Sequence, residues 1–128
     1  MNKLIIDVSN EKIFLMFITS SNIYNITHEN TKINYEKLTL IISDFLSSSN
    51  LKITEISEIY INKGSGSFAG IRNSLSVVKA FNVVKKIDYY CYSLNDFKGE
   101  DDLSHENIPN LCNKFKIKKN LINPIYIS

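Results

Sequence analysis

The sequence predicts an α/β domain: a mixed sheet, three antiparallel strands and then alternating helix and strand, with helices packed on it. Three observations predict it. Leu4 to Val8, Ile13 to Thr19 and Ile23 to Thr27 are short apolar or β-branched runs. The polar clusters Ser9-Asn10-Glu11 and Ser20-Ser21-Asn22 part them, the pattern of a tightly turned antiparallel meander. From Asn34 to Ser48 the apolar spacing lengthens to three and four residues, the period of a helix. A short strand, a glycine loop, a second helix and another strand then follow in turn, the alternation of an α/β sheet.

Leu4 to Val8 is nearly continuous in its apolar character and ends in the turn-forming Asp7-Val8-Ser9-Asn10. The third run alternates, with Ile23, Asn25 and Thr27 on one side and Tyr24 and Ile26 on the other. In the first helix Tyr35, Leu38, Ile41, Ile42 and Phe45 form one stripe, Asn34 or Thr31 can cap the start, and Ser47-Ser48-Ser49-Asn50 stops it. Leu40 and Leu46 lie off that stripe, which predicts burial on more than one side.

A polar link, Lys52 to Glu58, leads to a buried strand at Ile59 to Ile61. The glycine loop opens a helix through Lys86, with Ile71, Leu75, Val78 and Asn82 on one face and Val77, Phe81 and Val84 on another. A helix apolar on two faces is expected to be sandwiched. Tyr89 to Tyr92 is the next strand, and Ser93-Leu94-Asn95-Asp96 starts a short helix. Beyond Lys98 the period is lost and Pro109 is read as a break, so residues 99–128 read as an irregular tail to a domain at 1–98, with a last short strand at Pro124 to Ile127.

Composition narrows the function. A chain of 128 residues with 44% hydrophobic and 22% charged residues has ordinary globular usage. A net charge of +2 is too small to argue for a nucleic-acid binder, and Lys114, Lys116, Lys118 and Lys119 read as a solvated cluster. Cys91 and Cys112 are neither a C-x-x-C pair nor accompanied by histidines, which argues against a zinc site or a secreted disulfide scaffold. Asp7 interrupts the N-terminal apolar run, and no run reaches the roughly 18–20 residues of a membrane span, so a cytoplasmic location is expected.

The residue set that could carry chemistry is small. Gly64-x-Gly66-Ser67 follows a strand and opens a helix, where backbone N–H groups can cradle an anion; a tight turn into a buried helix, capped by Ser67, fits as well. It is not a Walker A loop, because Gly70 is followed by Ile71-Arg72 rather than Lys-Ser/Thr, and it lacks the third glycine of the dinucleotide fingerprint. Asp7 reads as a strand-end residue bonding its turn; as a nuclease ligand it would need partners that Asp44, Glu55 and Glu58 do not convincingly supply. His28, placed in a polar link, and His105, placed in the tail, read as surface residues.

The order βββαβαβ is the half-domain pattern of the ribonuclease-H-like and actin-like ATPase fold. Gly64-Ser65-Gly66-Ser67-Phe68-Ala69-Gly70-Ile71-Arg72 resembles the signature loop of the bacterial TsaB (YeaZ) family, Gly-Pro-Gly-Ser-Phe-Thr-Gly-aliphatic-Arg. Ile6-Asp7-Val8-Ser9, Tyr92-Ser93-Leu94 and Pro124-Ile125-Tyr126-Ile127 resemble further landmarks of that family. Ser65 stands where the family usually has Pro, Ala69 where it has Thr, and Asn34 where it often has His; against the family's two actin-like halves, 99–128 would be the remnant of a reduced second half.

The resemblance implies a non-catalytic subunit of the machinery that threonylcarbamoylates the tRNA adenosine beside the anticodon. It implies a heterodimer with TsaD through Tyr35, Leu38, Ile41, Ile42, Phe45, Arg72, Leu75 and Val78, with TsaE docking at the junction. tRNA would be met only indirectly, and ATP and magnesium would be bound through TsaD and TsaE rather than by this chain. In an actin-like ATPase the first-strand aspartate helps hold the metal, so Asp7 and Ser9 would be a vestigial nucleotide site. The alternative is a homodimer using the same helices, or an actin-like protein that binds a nucleotide or small molecule through the glycine loop.

Overall fold

The computed structural model describes residues 1–64 and 68–122, without the Phe68 side chain. The elements run β1 (Lys3–Asp7), β2 (Lys12–Ile18), β3 (Ile23–Glu29), α1 (Lys32–Tyr35), α2 (Leu38–Ser47), β4 (Glu58–Asn62), α3 (Phe68–Lys85), β5 (Asp88–Tyr92) and α4 (Ile108–Lys114). One five-stranded sheet has the order β3-β2-β1-β4-β5. The meander β1-β2-β3 is antiparallel, and β4 and β5 are parallel to β1. This is the mixed α/β architecture expected of an actin-like or ribonuclease-H-like half-domain.

Both sheet faces are covered, and the alternation of side chains along each strand divides the core in two. Leu4, Ile6, Leu15, Phe17, Ile59, Ile61 and Tyr89 pack with Leu38, Ile42, Phe45 and Leu46 of α2 and Ile71, Leu75 and Val78 of α3. Ile5, Met16, Tyr60 and Tyr92 point the other way, onto Phe97 and onto Ile108, Leu111 and Cys112 of α4. Two-sided burial explains why β1 and β4 read as continuous apolar runs rather than alternating ones.

Three expectations change. The first helix is two helices. The Thr31 hydroxyl caps α1 through the Asn34 N–H, at 3.3 Å, and the Lys37 N–H turns back to the Asn34 carbonyl at 2.9 Å, which closes α1 before α2 begins. The apolar stripe runs on across the break, so spacing alone could not reveal it. Leu46 is buried as expected of an off-stripe residue, but Leu40 is 57% exposed.

Residues 99–128 do not form a wholly irregular tail, because α4 lies within them. Pro109 does not break this helix. It occupies the first turn, where its missing N–H would have had no helical partner. The expected strand at Pro124 to Ile127 lies outside the described residues. The sandwiching of α3 is partial: Val77 and Phe81 are half-buried against the core, whereas Val84 is 70% exposed.

Tyr92 carries one cost. Its side chain is fully buried and its hydroxyl has no hydrogen-bond partner among the described residues. Burial, then the nearby Asp7 charge, hold this phenol in its neutral form. An unpaired buried hydroxyl forfeits its hydration, so Tyr92→Phe is expected to be neutral or to stabilise by about 1 kcal/mol in urea melts. A loss of stability above about 1 kcal/mol would reveal a partner for that oxygen.

Candidate functional site

Asp7, Asn62 and Ser93 stand at or just beyond the carboxyl ends of the parallel strands β1, β4 and β5, and all three are buried. In open α/β sheets this edge is where ligands bind. Here the chain's own polar groups fill it. Asp7 Oδ1 accepts the Ser9 N–H at 3.0 Å and the Ser9 hydroxyl. Oδ2 accepts the Asn62 amide at 3.3 Å and meets His105 Nε2 at 2.9 Å. An ionised carboxylate offers about four lone-pair sites, and these contacts use them all.

Burial raises the Asp7 pKa, but the bonds from His105, Ser9 and Asn62 outweigh it and hold the carboxyl below its ordinary value. An ionised Asp7 can only accept, so Nε2 of His105 carries a proton and donates it to Oδ2. The imidazole is stacked on Phe14 with ring centroids 4.0 Å apart. Ser9 donates to Asp7 rather than to the imidazole, so the three side chains do not form a nucleophile, base and orienting acid.

His105 is thus no simple surface residue; it and Asn62 are the members of the site that sequence reasoning missed. His105 is delivered by a local device: the Ser104 N–H and hydroxyl both bond Asp102 Oδ1, at 3.1 and 2.6 Å, and Asn107 Nδ2 bonds the Asp102 carbonyl at 2.9 Å. The run Asp102-x-Ser104-x-x-Asn107-x-Pro109 is a readable turn-into-helix signal, although it does not tell where the histidine docks. His28 likewise lies within β3, opposite Ile13, and not in a link.

Asn62 joins this cluster to the glycine loop. Its Oδ1 accepts the Gly64 N–H at 2.8 Å while its amide donates to Asp7 and, at 3.2 Å, to Ser9 Oγ. A Cβ on Gly64 would lie 2.9 Å from that same Oδ1, so the close approach needs glycine. Ser65, Gly66 and Ser67, with the anion-cradle and capping roles read for them, lie outside the described residues. Phe68 begins α3, Gly70 and Ile71 are buried, and Ala69 and Arg72 are exposed.

The residues expected at a partner interface divide sharply. Leu38, Ile42, Phe45, Leu75 and Val78 are buried in the core beneath the helices. Tyr35 and Ile41 are half-buried, and Arg72 alone of the set is exposed. The large apolar side chains that α1, α2 and α3 present outward are others: Ile33, Leu40, Val83 and Val84.

Among the described residues no group of three or more His, Cys, Asp or Glu side chains is placed to hold a metal ion. Burial pushes the Cys91 thiol up to about 11 and the Cys112 thiol up to about 12, which leaves neither a thiolate at neutral pH. No described helix is long and apolar enough to cross a membrane.

The fold and the filled strand ends define a class: an α/β half-domain of actin-like or ribonuclease-H-like type. No known protein-family profile matches the chain, and no curated protein sequence matches it. Among solved structures, it is similar to YeaZ from Pseudomonas aeruginosa, with a TM-score of 0.66 at 17% identity over 72% of this chain and 43% of that one. A second structure, described as an uncharacterized protein with similarity to peptidase YEAZ from Pseudomonas aeruginosa, gives the same values. T. thermophilus RuvC, solved in complex with a Holliday junction substrate, is more distant, at a TM-score of 0.53 and 10% identity over 77% of this chain and 68% of that one. The chain therefore has a YeaZ-like fold and spans less than half the length of the YeaZ structures it matches.

Proposed function

We propose that the chain is a non-catalytic scaffold subunit in threonylcarbamoylation of the tRNA adenosine beside the anticodon, where it binds and supports TsaD, with TsaE at the junction. The likeness to YeaZ carries this reading. Two features support it. The Asp7 carboxylate spends its lone pairs on Ser9, Asn62 and His105, so it is poorly placed to hold a metal or nucleotide. Four large apolar side chains, Ile33, Leu40, Val83 and Val84, are exposed on the three helices, as is Arg72, and they are the apolar anchors these helices can offer a partner. The binding energy would come from burying these side chains against a helical surface of TsaD, with Arg72 at the rim. ATP and magnesium would enter only through TsaD and TsaE.

The test is co-purification with tagged TsaD, alone and with TsaE. Wild type is expected to be retained. The double variant Leu40→Asp/Val84→Asp, at exposed positions, is expected to keep its far-ultraviolet circular dichroism and lose at least about tenfold in affinity, since two interface anchors are removed. Undiminished binding of that variant would refute the helix surface, and failure of wild type to bind would refute the scaffold reading.

A further inference from the structure

The two edges of the sheet are treated differently. At β5 the chain covers its own edge: the Asn120 N–H donates to the Tyr89 carbonyl at 2.7 Å, and Asn120 Oδ1 accepts the Tyr89 N–H at 2.9 Å. Asn120 Nδ2 also bonds Asp88 at 2.9 Å, and Lys119 forms a bridge with Tyr90. One residue thus does the work of a strand. At β3 no described strand lies on the outer side, while all seven residues from Ile23 to Glu29 pair without a bulge to β2 on the inner side. Among the described residues the edge is occupied at its last residue, where the Glu29 carbonyl accepts Thr31 N–H and Asn34 Nδ2 at 3.0 and 2.9 Å.

Natural edge strands are usually guarded by proline, lysine, a bulge or inward charge. β3 has none of these. Its one formal charge, Glu29, is tied down by Lys12 of the same sheet. Ile23 and Tyr24 are exposed, and Ile23, Tyr24, Ile26 and Thr27 are strong strand formers.

The sequence of this edge is also complementary to itself. Turned antiparallel about a two-fold axis through Ile26, Ile26 meets Ile26 of the second copy, and Asn25 meets Thr27. Tyr24 then meets His28, and Ile23 meets Glu29. Three of the four pairs match in kind, apolar with apolar, amide with hydroxyl and ring with ring, while Ile23 faces Glu29 at the end where the Glu29 carbonyl is already bonded. No like charges oppose one another. A partner peptide would also satisfy the backbone, but self-complementarity in this register favours a second copy of the chain.

We propose that β3 is a homotypic docking edge, through which two copies join antiparallel about Ile26 and make one continuous sheet of twice the width. The axis stands perpendicular to the sheet, so the helices α1 to α3 of both copies stay on one side. A single pair of seven-residue edges buries less than the roughly 1,200 Å² of a stable interface, so the dimer is weak and concentration-dependent.

Disulfide trapping tests the register. Ile26→Cys places two thiols beside the axis and is expected to give a covalent dimer under mild oxidation. Ile23→Cys places them about 20 Å apart, far beyond the roughly 7 Å limit between bridged Cα atoms, and is expected to give none. The double variant Asn25→Cys/Thr27→Cys repeats the test at two exposed positions and leaves the half-buried Ile26 intact. In sedimentation, Asn25→Lys/Thr27→Lys is expected to remain monomeric where wild type self-associates at sub-millimolar concentration. Equal trapping at positions 23 and 26, a strictly monomeric wild type, or a dimer lost only in Leu40→Asp/Val84→Asp would each overturn the proposal. The last result would place self-association on the helices.

Discussion

Asp7→Ala is expected to destabilise the chain by about 3 kcal/mol or more, measured by urea unfolding, since removal of a buried charged partner leaves its donors unpaired. The change removes the acceptor of the Ser9 hydroxyl and of the His105 Nε2–H at once, and leaves the Asn62 amide only Ser9 Oγ. It also frees the segment that carries α4, because His105 joins that segment to β1. The loss should therefore exceed that of an ordinary hydrogen bond, and protease sensitivity should rise near residues 98–108.

Asp7→Asn separates charge from shape. The folded-state pKa of Asp7 lies below the ordinary value of 3.8, so its contribution is fully present above that value and is lost as pH falls through the folded pKa. Wild type should lose stability on acidification below about pH 4, and the Asn variant should lose less over the same range. Parallel acid unfolding of the two proteins would show that Asp7 is not the charge responsible.

Leu38→Asp is expected to prevent folding outright rather than to weaken partner binding. Leu38 is 0% exposed, within the cluster that joins α2 and α3 to the sheet. A carboxylate there is either buried unpaired or forces the helix away, and a cost above about 4 kcal/mol consumes much of a domain's total stability of about 5–15 kcal/mol. Circular dichroism and recovery in the soluble fraction read the result. A soluble, folded Leu38→Asp protein would show that α2 does not depend on this core. This outcome distinguishes core from interface on the same helix, because Leu40, two residues on, is open to solvent.

The difference between Leu38 and Leu40 marks the limit of periodic patterns. The stripe Tyr35, Leu38, Ile41, Ile42 and Phe45 announces a buried face, and Leu38, Ile42 and Phe45 are buried while Tyr35 and Ile41 are half-buried. The pattern cannot say whether that face meets the chain's own sheet or another molecule, since both are apolar. The actual outward residues, Leu40, Val83 and Val84, lie partly off the stripes that mark the helices. The break between α1 and α2 leaves no trace in the pattern for a related reason: a turn of backbone can be inserted without disturbing which side chains face inward.

α4 was hidden by its shortness. Seven residues hold too little of the helical period to stand out, and Pro109 reads as a break unless the first turn is known to begin there. Yet β1 carried an indirect sign. A strand apolar on both faces requires a cover on each, and α2 and α3 supply only one.

The five strands, the long helix after the glycine loop and the α/β class follow from local physics, because strand alternation, helix period and turn chemistry act between residues a few positions apart. The saturation of Asp7 does not. His105 lies 98 residues away and reaches the carboxylate only once α4 has docked on the far face of the sheet. The covered edge at β5 and the edge at β3, on which no described strand lies, are likewise properties of the assembled sheet. An aspartate at the end of a first strand has the same local sequence whether it awaits a ligand or is already fully bonded. Only long-range packing, which decides which donors surround it, makes it the second.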